Sequence, residues 1–300
     1  MSRGRTKRRP SKKKGRGKTK KALCAPGRRH DRANSCLSTA EVAALRIAWN
    51  KAHPTSPIPP GSKSRVLRQL RVHTSGSCSD EACWLTLPFA QRSSVAEAAL
   101  SSAHRPVAPR NWRSNPREWL TSDDIDAVMR QYETKYPSFA YLGASPVDFD
   151  AKPRDGSEKC VWVRLCDLSI ARELAKKKTR MAVILNADPH YKDGSHWMTL
   201  FINLNDRYLF YFDSTGDPMP RQVKKLVKRL QAEGAALGLH LRLIVNRVPH
   251  QRQNTECGVY ALYAVSRLLE GTDTPRSLMG ARIPDDAMFS FRRKFFNHTD

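Results

Sequence analysis

The segment CGVYALYAVSRLLEG (residues 257–271) constrains the fold more than any other part of the sequence, because it is apolar almost all the way round a helix. Such a helix is stable in water only when neighbouring elements cover every face, so we expect it at the centre of the main core. Gly271 is the residue type that most often follows the last turn of a helix. The polar run HQRQNTE (residues 250–256) therefore leads the chain into the start of a buried helix.

Five further segments predict the strands of a sheet around that helix. MAVILNA (181–187) is a continuous apolar run, as in a strand covered on both faces. HWMTLFINL (196–204) and YLFYFDS (208–214) are separated by three residues, which predicts a hairpin. We also expect strands at CVWVRLC (160–166) and LRLIVNRV (241–248). With helical segments between them, these strands predict an α+β fold in which a central mixed or antiparallel sheet packs on helices.

Helices are predicted where apolar residues recur at helical spacing after a polar capping residue. In the C-terminal part of the chain these segments are residues 117–137, 170–178 and 220–234. In the N-terminal third they are residues 36–53 and 64–73, which are joined by the Pro-rich loop PTSPIPPG. The N-terminal pair indicates a small helical unit separate from the sheet.

Composition divides the chain into four predicted parts. We expect a basic disordered tail over residues 1–35 and a small helical accessory domain over residues 36–105. Residues 106–116 are rich in Pro and Arg and are predicted to form a linker. Residues 117–300 then form the α+β domain that carries the candidate chemistry.

The formal net charge of +25 is concentrated at the N-terminus, where residues 1–30 hold fourteen Lys and Arg and no acid. A segment with so few apolar residues cannot bury a core and is predicted to be disordered. The charge favours a phosphate-binding arm or a nuclear-import signal, and the alternative is a solubilising tail. No apolar stretch follows the charges as in a secretion signal, and no run of roughly 18 apolar residues predicts a membrane span.

Seven cysteines permit two interpretations of the thiols. Cys36, His73, Cys78 and Cys83 could form a zinc site in the accessory domain, although the spacing between the last two is at the loose end for metal ligands. The odd number of cysteines and the missing secretion signal instead favour ordinary reduced thiols in a reducing compartment.

Cys257 has two possible roles. It stands at the start of the predicted buried helix, where backbone N–H groups and the helix dipole favour a thiolate. A structural thiol would be more natural inside the apolar run than at its polar beginning. Its position therefore indicates a nucleophile, and a core thiol is the alternative.

The predicted hairpin supplies a base for such a nucleophile. His196 opens one strand and Asp213 closes the other, 17 residues later, so the two side chains are expected to meet. Asp213 would then accept from one imidazole nitrogen and leave the other for the thiol. An oxyanion donor is also required, and either Gln251 or Gln253 could supply it from the loop before the helix.

These residues together resemble the signature of the ubiquitin-like-protein-specific (SUMO) proteases and the adenovirus protease. The order His…Asp…Gln…Cys matches, whereas papain-like enzymes place the Cys first. The matching residues are His196-Trp197, Phe212-Asp213-Ser214, Gln251 and Glu256-Cys257-Gly258. Longer stretches, including YPSFAYLGASPVDFD and ILNADPHYKDGSHW, resemble the versions found in large nucleocytoplasmic DNA viruses, such as the African swine fever virus polyprotein protease.

The resemblance implies a cysteine protease fold over residues 117–300 and chooses Gln251 as the oxyanion donor. It implies a narrow substrate cleft at Trp197 and Gly258 that admits small residues, typically of a Gly-Gly type. Glu256 departs from the Asp usual in cellular SUMO proteases, without changing the chemistry. No metal or other cofactor is required, but the adenovirus protease uses DNA as a cofactor, so DNA is a candidate activating polyanion here.

The sequence thus predicts an endopeptidase that cleaves viral structural polyproteins during virion maturation, in the virion or the viral factory of an infected cell, in host nucleus or cytoplasm. It would bind protein substrates, contact nucleic acid through the basic tail and need no membrane. Removal of SUMO or ubiquitin-like proteins from host conjugates is the alternative. An acetyltransferase and a non-catalytic DNA-binding scaffold are weaker alternatives, because no acetyl-donor motif is present and the four-residue signature is intact.

Overall fold

The computed structural model describes residues 22–153 and 158–298. Its N-terminal part is helical and has a core of its own, built from apolar side chains of four helices and a short 3-10 turn. A capping box between Ser38 and Glu41 fixes the start of the first helix. The helices are α1 (Thr39–Ala52), α2 (Lys63–Thr74), α3 (Pro88–Gln91) and α4 (Ser94–Ala103).

A mixed sheet of five strands, in the order β1-β2-β3-β4-β5, forms the C-terminal part. The outer pairs β1–β2 and β4–β5 are parallel, whereas β2, β3 and β4 form an antiparallel meander. The predicted α+β fold with a mixed sheet is confirmed. The strands are β1 (Phe139–Pro146), β2 (Arg180–Asn186), β3 (Trp197–Asn203), β4 (Tyr208–Asp213) and β5 (Arg242–Val245).

Helices cover both faces of this sheet. They are α5 (Ser122–Lys135), α6 (Val163–Cys166), α7 (Ile170–Ala175), α8 (Arg221–Ala236), α9 (Cys257–Glu270), α10 (Pro275–Leu278) and α11 (Asp285–Phe295). One core joins α5, α9 and α11 to one face, and a second core joins α7 and α8 to the other. The buried central helix is α9, and Gly271 ends it in the left-handed conformation with φ of 68°. None of the helices in the described residues is long and apolar enough to cross a bilayer.

The predicted boundaries of the tail and linker need correction. Residues 1–21 lie outside the described residues, but residues 22–35, predicted to be disordered, pack on the protein. The backbone of Ala25 donates to Ala103, and that of Arg105 donates to Leu23, each at 2.9 Å. The predicted linker likewise contains a 3-10 turn with a buried tryptophan. Backbone hydrogen bonds, which composition does not encode, hold both segments.

The predicted strand at 160–166 is wrong. Residues 163–166 form the short helix α6, and a disulfide between Cys160 and Cys166 closes this segment into a compact loop. The apolar residues of CVWVRLC have the spacing typical of a strand. In the structure the segment is helical, and Leu165 packs into the core from this helical turn. Conversely, β1 and α11 were not predicted from the residue pattern.

The expectation of reduced thiols is wrong for six of the seven cysteines. Besides the bridge just described, Cys24 is bonded to Cys36 and Cys78 to Cys83, with Cα–Cα distances of 5.3 and 5.5 Å that suit such bridges. The structure therefore also gives no support to a zinc site made from Cys36, Cys78, Cys83 and His73. Cys257 is the free cysteine of the described residues.

Candidate active site

Cys257 is the first residue of α9 and is 3% exposed. Its position at the N-terminus of a 14-residue helix places it where unpaired backbone N–H groups and the helix dipole stabilise negative charge. Glu256 occupies the cap position, but its side chain makes no capping hydrogen bond to the helix. The backbone therefore leaves the helix start available to a thiolate or to an oxygen that gains charge beside it.

His196 and Asp213 meet at the end of the hairpin, as predicted. The register pairs Asp213 with Met198, so His196 lies just beyond the ladder and on the same edge. The imidazole Nε2–H donates to Asp213 Oδ1 over 2.7 Å. This leaves Nδ1 for the thiol, and Cys257 lies close enough to His196 to raise the pKa of the imidazole.

The carboxylate of Asp213 is itself firmly held. It is 1% exposed, and its Oδ1 also accepts from the backbone N–H of Thr215 at 2.9 Å and from the Thr215 hydroxyl at 2.7 Å. The amide of Asn246 donates to the Asp213 carbonyl at 2.7 Å. These donors fix the carboxylate in one orientation, so the imidazole has one preferred tautomer.

Burial alone would lower the pKa of His196, but its hydrogen bonds to Asp213 and Cys257, together with the electrostatic effect of both groups, raise it to about 10. Burial alone would raise the pKa of Asp213, but its hydrogen bond and ion pair with His196 hold it below the usual value. At neutral pH His196 is therefore an imidazolium that lies between the Asp213 carboxylate and the Cys257 thiol group, which is the order a cysteine nucleophile requires.

Gln251 lies beside this row, on the loop that enters α9. The Ser214 hydroxyl donates to Gln251 Oε1 at 2.7 Å, and the Gln251 backbone N–H donates to the Ser214 carbonyl at 2.8 Å. The side-chain amide Nε2 contacts the backbone carbonyl of Gln253 at 2.5 Å. Gln251 is largely buried and anchored next to Asp213, whereas the side chain of Gln253 is exposed. Of the two candidates, the structure thus gives only Gln251 a fixed place at the site.

Trp197 and Gly258 form a tight wall at the same place. The Trp197 Nε1–H donates to the Leu120 carbonyl at 3.0 Å. A Cβ on Gly258 would lie 3.0 Å from the Leu120 Cβ and 3.3 Å from Trp197 Cδ1, so only glycine fits without displacing its neighbours. A cavity of about 580 Å³ opens beside His196 and is also lined by Trp119, Leu120 and Trp197.

Two other histidines, His190 and His250, have partners other than Asp213. His190 also lines the cavity, but its Nδ1 is paired with the Asp148 carboxylate at 2.7 Å. His250 is fully buried, and its Nδ1 accepts from the backbone N–H of Ile283 at 3.0 Å. Burial lowers the pKa of His250, so it is held as neutral imidazole.

Sequence reasoning missed a buried ion pair directly before the nucleophile. Glu256 and Arg292 are at most 1% exposed, and Arg292 Nε donates to Glu256 Oε2 at 2.7 Å. Arg292 stands on α11, 35 residues from Cys257, among other cations that are exposed. The only signal was the unusual placement of a Glu ahead of the Cys, and it did not identify a partner.

Comparison with known proteins finds relatives among cysteine proteases. Residues 152–300 match the Ulp1 protease family, C-terminal catalytic domain. A protein of Acanthamoeba polyphaga mimivirus named as a thiol protease is 25% identical over 271 residues, covering 83% of this chain and 85% of that protein. A SUMO-1 cysteine protease of African swine fever virus is 26% identical over 237 residues, covering 73% of this chain and 83% of the viral protein.

A solved structure supports the fold over nearly the whole chain. The crystal structure of an African swine fever virus protease superposes with a TM-score of 0.63 at 21% sequence identity. The superposition covers 92% of this chain and 96% of the viral protease. It therefore includes part of the helical N-terminal region as well as the sheet.

Proposed function

Because residues 152–300 form a Ulp1-like cysteine protease domain, we propose that the chain is a thiol endopeptidase whose nucleophile is Cys257 and whose base is His196. The observation that carries the proposal is the pairing of His196 with Asp213 beside the one free thiol in the described part of the chain. Viral relatives named as thiol or cysteine proteases support the same chemistry.

In the proposed reaction the Cys257 thiolate attacks the carbonyl carbon of the scissile peptide bond. The tetrahedral oxyanion is stabilised by the Cys257 backbone N–H and the Gln251 amide. When the C–N bond breaks, the His196 imidazolium gives its proton to the leaving amine. Water then hydrolyses the thioester, with neutral His196 as the base that accepts a proton from the water, and Cys257 leaves as the thiolate.

The Gln251 amide should be needed in this reaction, whereas the Gln253 side chain should not. We expect Gln251→Ala to lower kcat by about 10²- to 10³-fold, because one oxyanion donor is lost. Gln253→Ala keeps the backbone carbonyl that contacts Gln251 and should stay within about threefold of the wild type, as an exposed polar side chain would. Steady-state kinetics on one peptide would measure both, and an equal loss in the two variants would contradict the assignment.

The substrate we propose is a viral structural polyprotein cleaved after a Gly-Gly-type motif. The close packing of Trp197, Leu120 and Gly258 supports this choice, since such a wall leaves room for residues without large side chains. The viral origin of the relatives supports action during virion maturation, in the virion or the viral factory.

A second candidate is the removal of a ubiquitin-like protein from conjugates. It is favoured by one specific observation, the name of the African swine fever virus relative as a SUMO-1 cysteine protease. The two substrates can be compared at equal enzyme concentration, using a Gly-Gly-x peptide set and fusions of SUMO and ubiquitin. Faster cleavage of the peptides, absent in Cys257→Ala, supports the polyprotein; faster cleavage of the fusions supports the alternative.

Nucleic acid is the further partner we propose, with DNA as an activating polyanion. The basic residues 1–30 support it, and so do exposed cations on α2 and α8, among them Arg65, Arg68, Lys224 and Lys228. If phosphate contacts drive activation, DNA stimulation of cleavage should fall steeply between roughly 50 and 200 mM salt. Activity that does not respond to DNA at any of these salt concentrations would contradict this partner.

A further inference from the structure

The ion pair between Glu256 and Arg292 bears directly on the nucleophile. Glu256 is the residue before Cys257, it is fully buried, and its carboxylate therefore lies in a medium where charges act strongly. An unpaired carboxylate at this point would oppose formation of a thiolate on the next residue. Arg292 removes that opposition, because its Nε contacts Glu256 Oε2 at 2.7 Å.

Arg292 also joins two parts of the site that are far apart in sequence. Its Nη1 donates to the Glu118 carbonyl at 2.6 Å, and its Nη2 donates to the carbonyls of Thr255 at 3.1 Å and Arg117 at 3.4 Å. The planar guanidinium stacks over the Trp112 ring, 4.6 Å from its centroid. A lysine cannot reproduce this fork of donors.

The two backbone segments held by Arg292 are the start of the nucleophile's helix and the stretch of loop that becomes the cleft wall. Directly after Glu118 come Trp119 and Leu120, which line the cavity beside His196. Leu120 is also the residue against which Gly258 and Trp197 pack. A single guanidinium thus sets the distance between the nucleophile and the substrate-binding wall.

A second cation near Glu256 is differently placed. Arg117 Nη1 lies 3.5 Å from Glu256 Oε1, but its other nitrogen pairs with the exposed Asp286 at 2.9 Å, and its side chain is 33% exposed. Because this contact is longer than that of Arg292 and the same guanidinium is shared with Asp286, its effect on the buried carboxylate is weaker than that of Arg292.

We propose that Arg292 is a positioning residue, which neutralises Glu256 so that Cys257 can exist as the thiolate and which fixes the cleft wall relative to α9. The inference rests on the proposed role of Cys257. It adds a residue outside the four-residue signature, and it explains how a glutamate is tolerated directly before the nucleophile.

The test measures the rate at which iodoacetamide alkylates Cys257 at pH 7.0, with the modified peptide quantified by mass spectrometry. We expect Arg292→Met to slow alkylation about tenfold, because Glu256 then keeps only the longer contact with Arg117 and its charge disfavours a thiolate on the next residue. Glu256→Gln combined with Arg292→Met should return the rate to within about threefold of the wild type, since no buried charge remains. Arg293→Met is the matched control, because Arg293 is the next residue on α11 and is exposed.

Two results would overturn the proposal. One is wild-type alkylation in Arg292→Met, and the other is a double variant as slow as Arg292→Met, which would mean that the arginine acts only as scaffold. If Arg292→Met does not fold, the variant Glu256→Gln decides the question. In this variant the positive charge of Arg292 is no longer balanced by Glu256 and should speed alkylation of Cys257. An unchanged or slower rate refutes the proposal. Alkylation needs no peptide substrate, so a wrong choice of substrate would leave these outcomes intact.

The cleft-wall role has its own readout. Arg292→Lys keeps the positive charge but loses the fork, so we expect alkylation near the wild-type rate together with a KM raised severalfold. If KM is unchanged while alkylation slows, Arg292 does not position the wall.

Discussion

Replacement of Cys257 by alanine is expected to abolish peptide-bond cleavage, with a loss of at least about 10⁴-fold in kcat. The reason is that the thiolate forms the covalent intermediate, and no other free thiol lies in the described part of the chain. The variant should still fold, because removing one sulfur from the start of α9 leaves the apolar face of the helix in place. Cleavage is measured by the appearance of product fragments, and folding by thermal unfolding.

A matched control separates this loss from general damage to the cleft. His190 lines the same cavity as His196 but pairs with Asp148, so His190→Ala should keep most of the activity, whereas His196→Ala should lose it. If Cys257→Ala still cleaves, or if His190→Ala is as inactive as His196→Ala, the proposed roles are wrong.

The parts of the site that sequence could predict are those fixed by short-range geometry. A hairpin with a short connection brings its two ends together, so the neighbourhood of His196 and Asp213 follows once the strands are recognised. The segment 257–271 is apolar on nearly all sides, which predicts a buried central helix. Cys257 is the first residue of that helix. In each case one local pattern admitted only one arrangement.

Long-range partners could not be predicted in the same way. The segment that carries Arg292 contains three successive cations, and its pattern does not tell which of them turns inward. Only the fold brings that helix against Glu256 and the loop before α5. The three disulfides could not be predicted for a related reason. The prediction of free thiols rests on the expected reducing compartment, whereas the pairing of cysteines depends on distances that only the fold determines.

The folded N-terminal segment shows a further limit of composition. Residues 22–35 follow a very basic run and contain little apolar surface, so disorder was the natural prediction. They are instead held by backbone pairing with the end of α4 and by the bond between Cys24 and Cys36. Backbone contacts, the cross-link and ion pairs such as that between Arg28 and Glu41 hold this segment, and an average over residue types cannot reveal them.

Replacement of Asp213 by asparagine should produce the second large effect, and it should depend on pH. The amide would keep the shape of the carboxylate but lose its charge, and we expect kcat to fall by about 10⁴-fold, because the imidazole is no longer held in the correct tautomer. In the wild type the pKa of His196 is raised to about 10, so the imidazolium that protonates the leaving amine persists well above neutral pH. The alkaline limb of kcat/KM should therefore lie near pH 10.

Burial lowers the pKa of His196, and the charge of Asp213 opposes this effect. When that charge is removed, the pKa of His196 should fall. The alkaline limb of the residual activity should then move to lower pH, so that the variant loses more activity at about pH 8.5 than at about pH 6. The free energy of unfolding should depend on pH in the same direction. Because folding raises the pKa of His196, its charge stabilises the folded protein fully below the ordinary value of 6.5, and this stabilisation is lost as the pH rises through about 10. The advantage of the wild type over the variant in unfolding free energy should shrink over that window.

Asp217→Asn provides the matched control for these measurements. Asp217 Oδ2 lies 2.7 Å from the Thr215 hydroxyl oxygen, which also contacts Asp213, but Asp217 is exposed. Its replacement should change neither the alkaline limb nor the pH dependence of stability beyond small screening effects. An alkaline limb that stays near pH 10 in Asp213→Asn would show that Cys257 alone maintains the imidazolium, and the carboxylate would then be a purely structural partner of the hairpin.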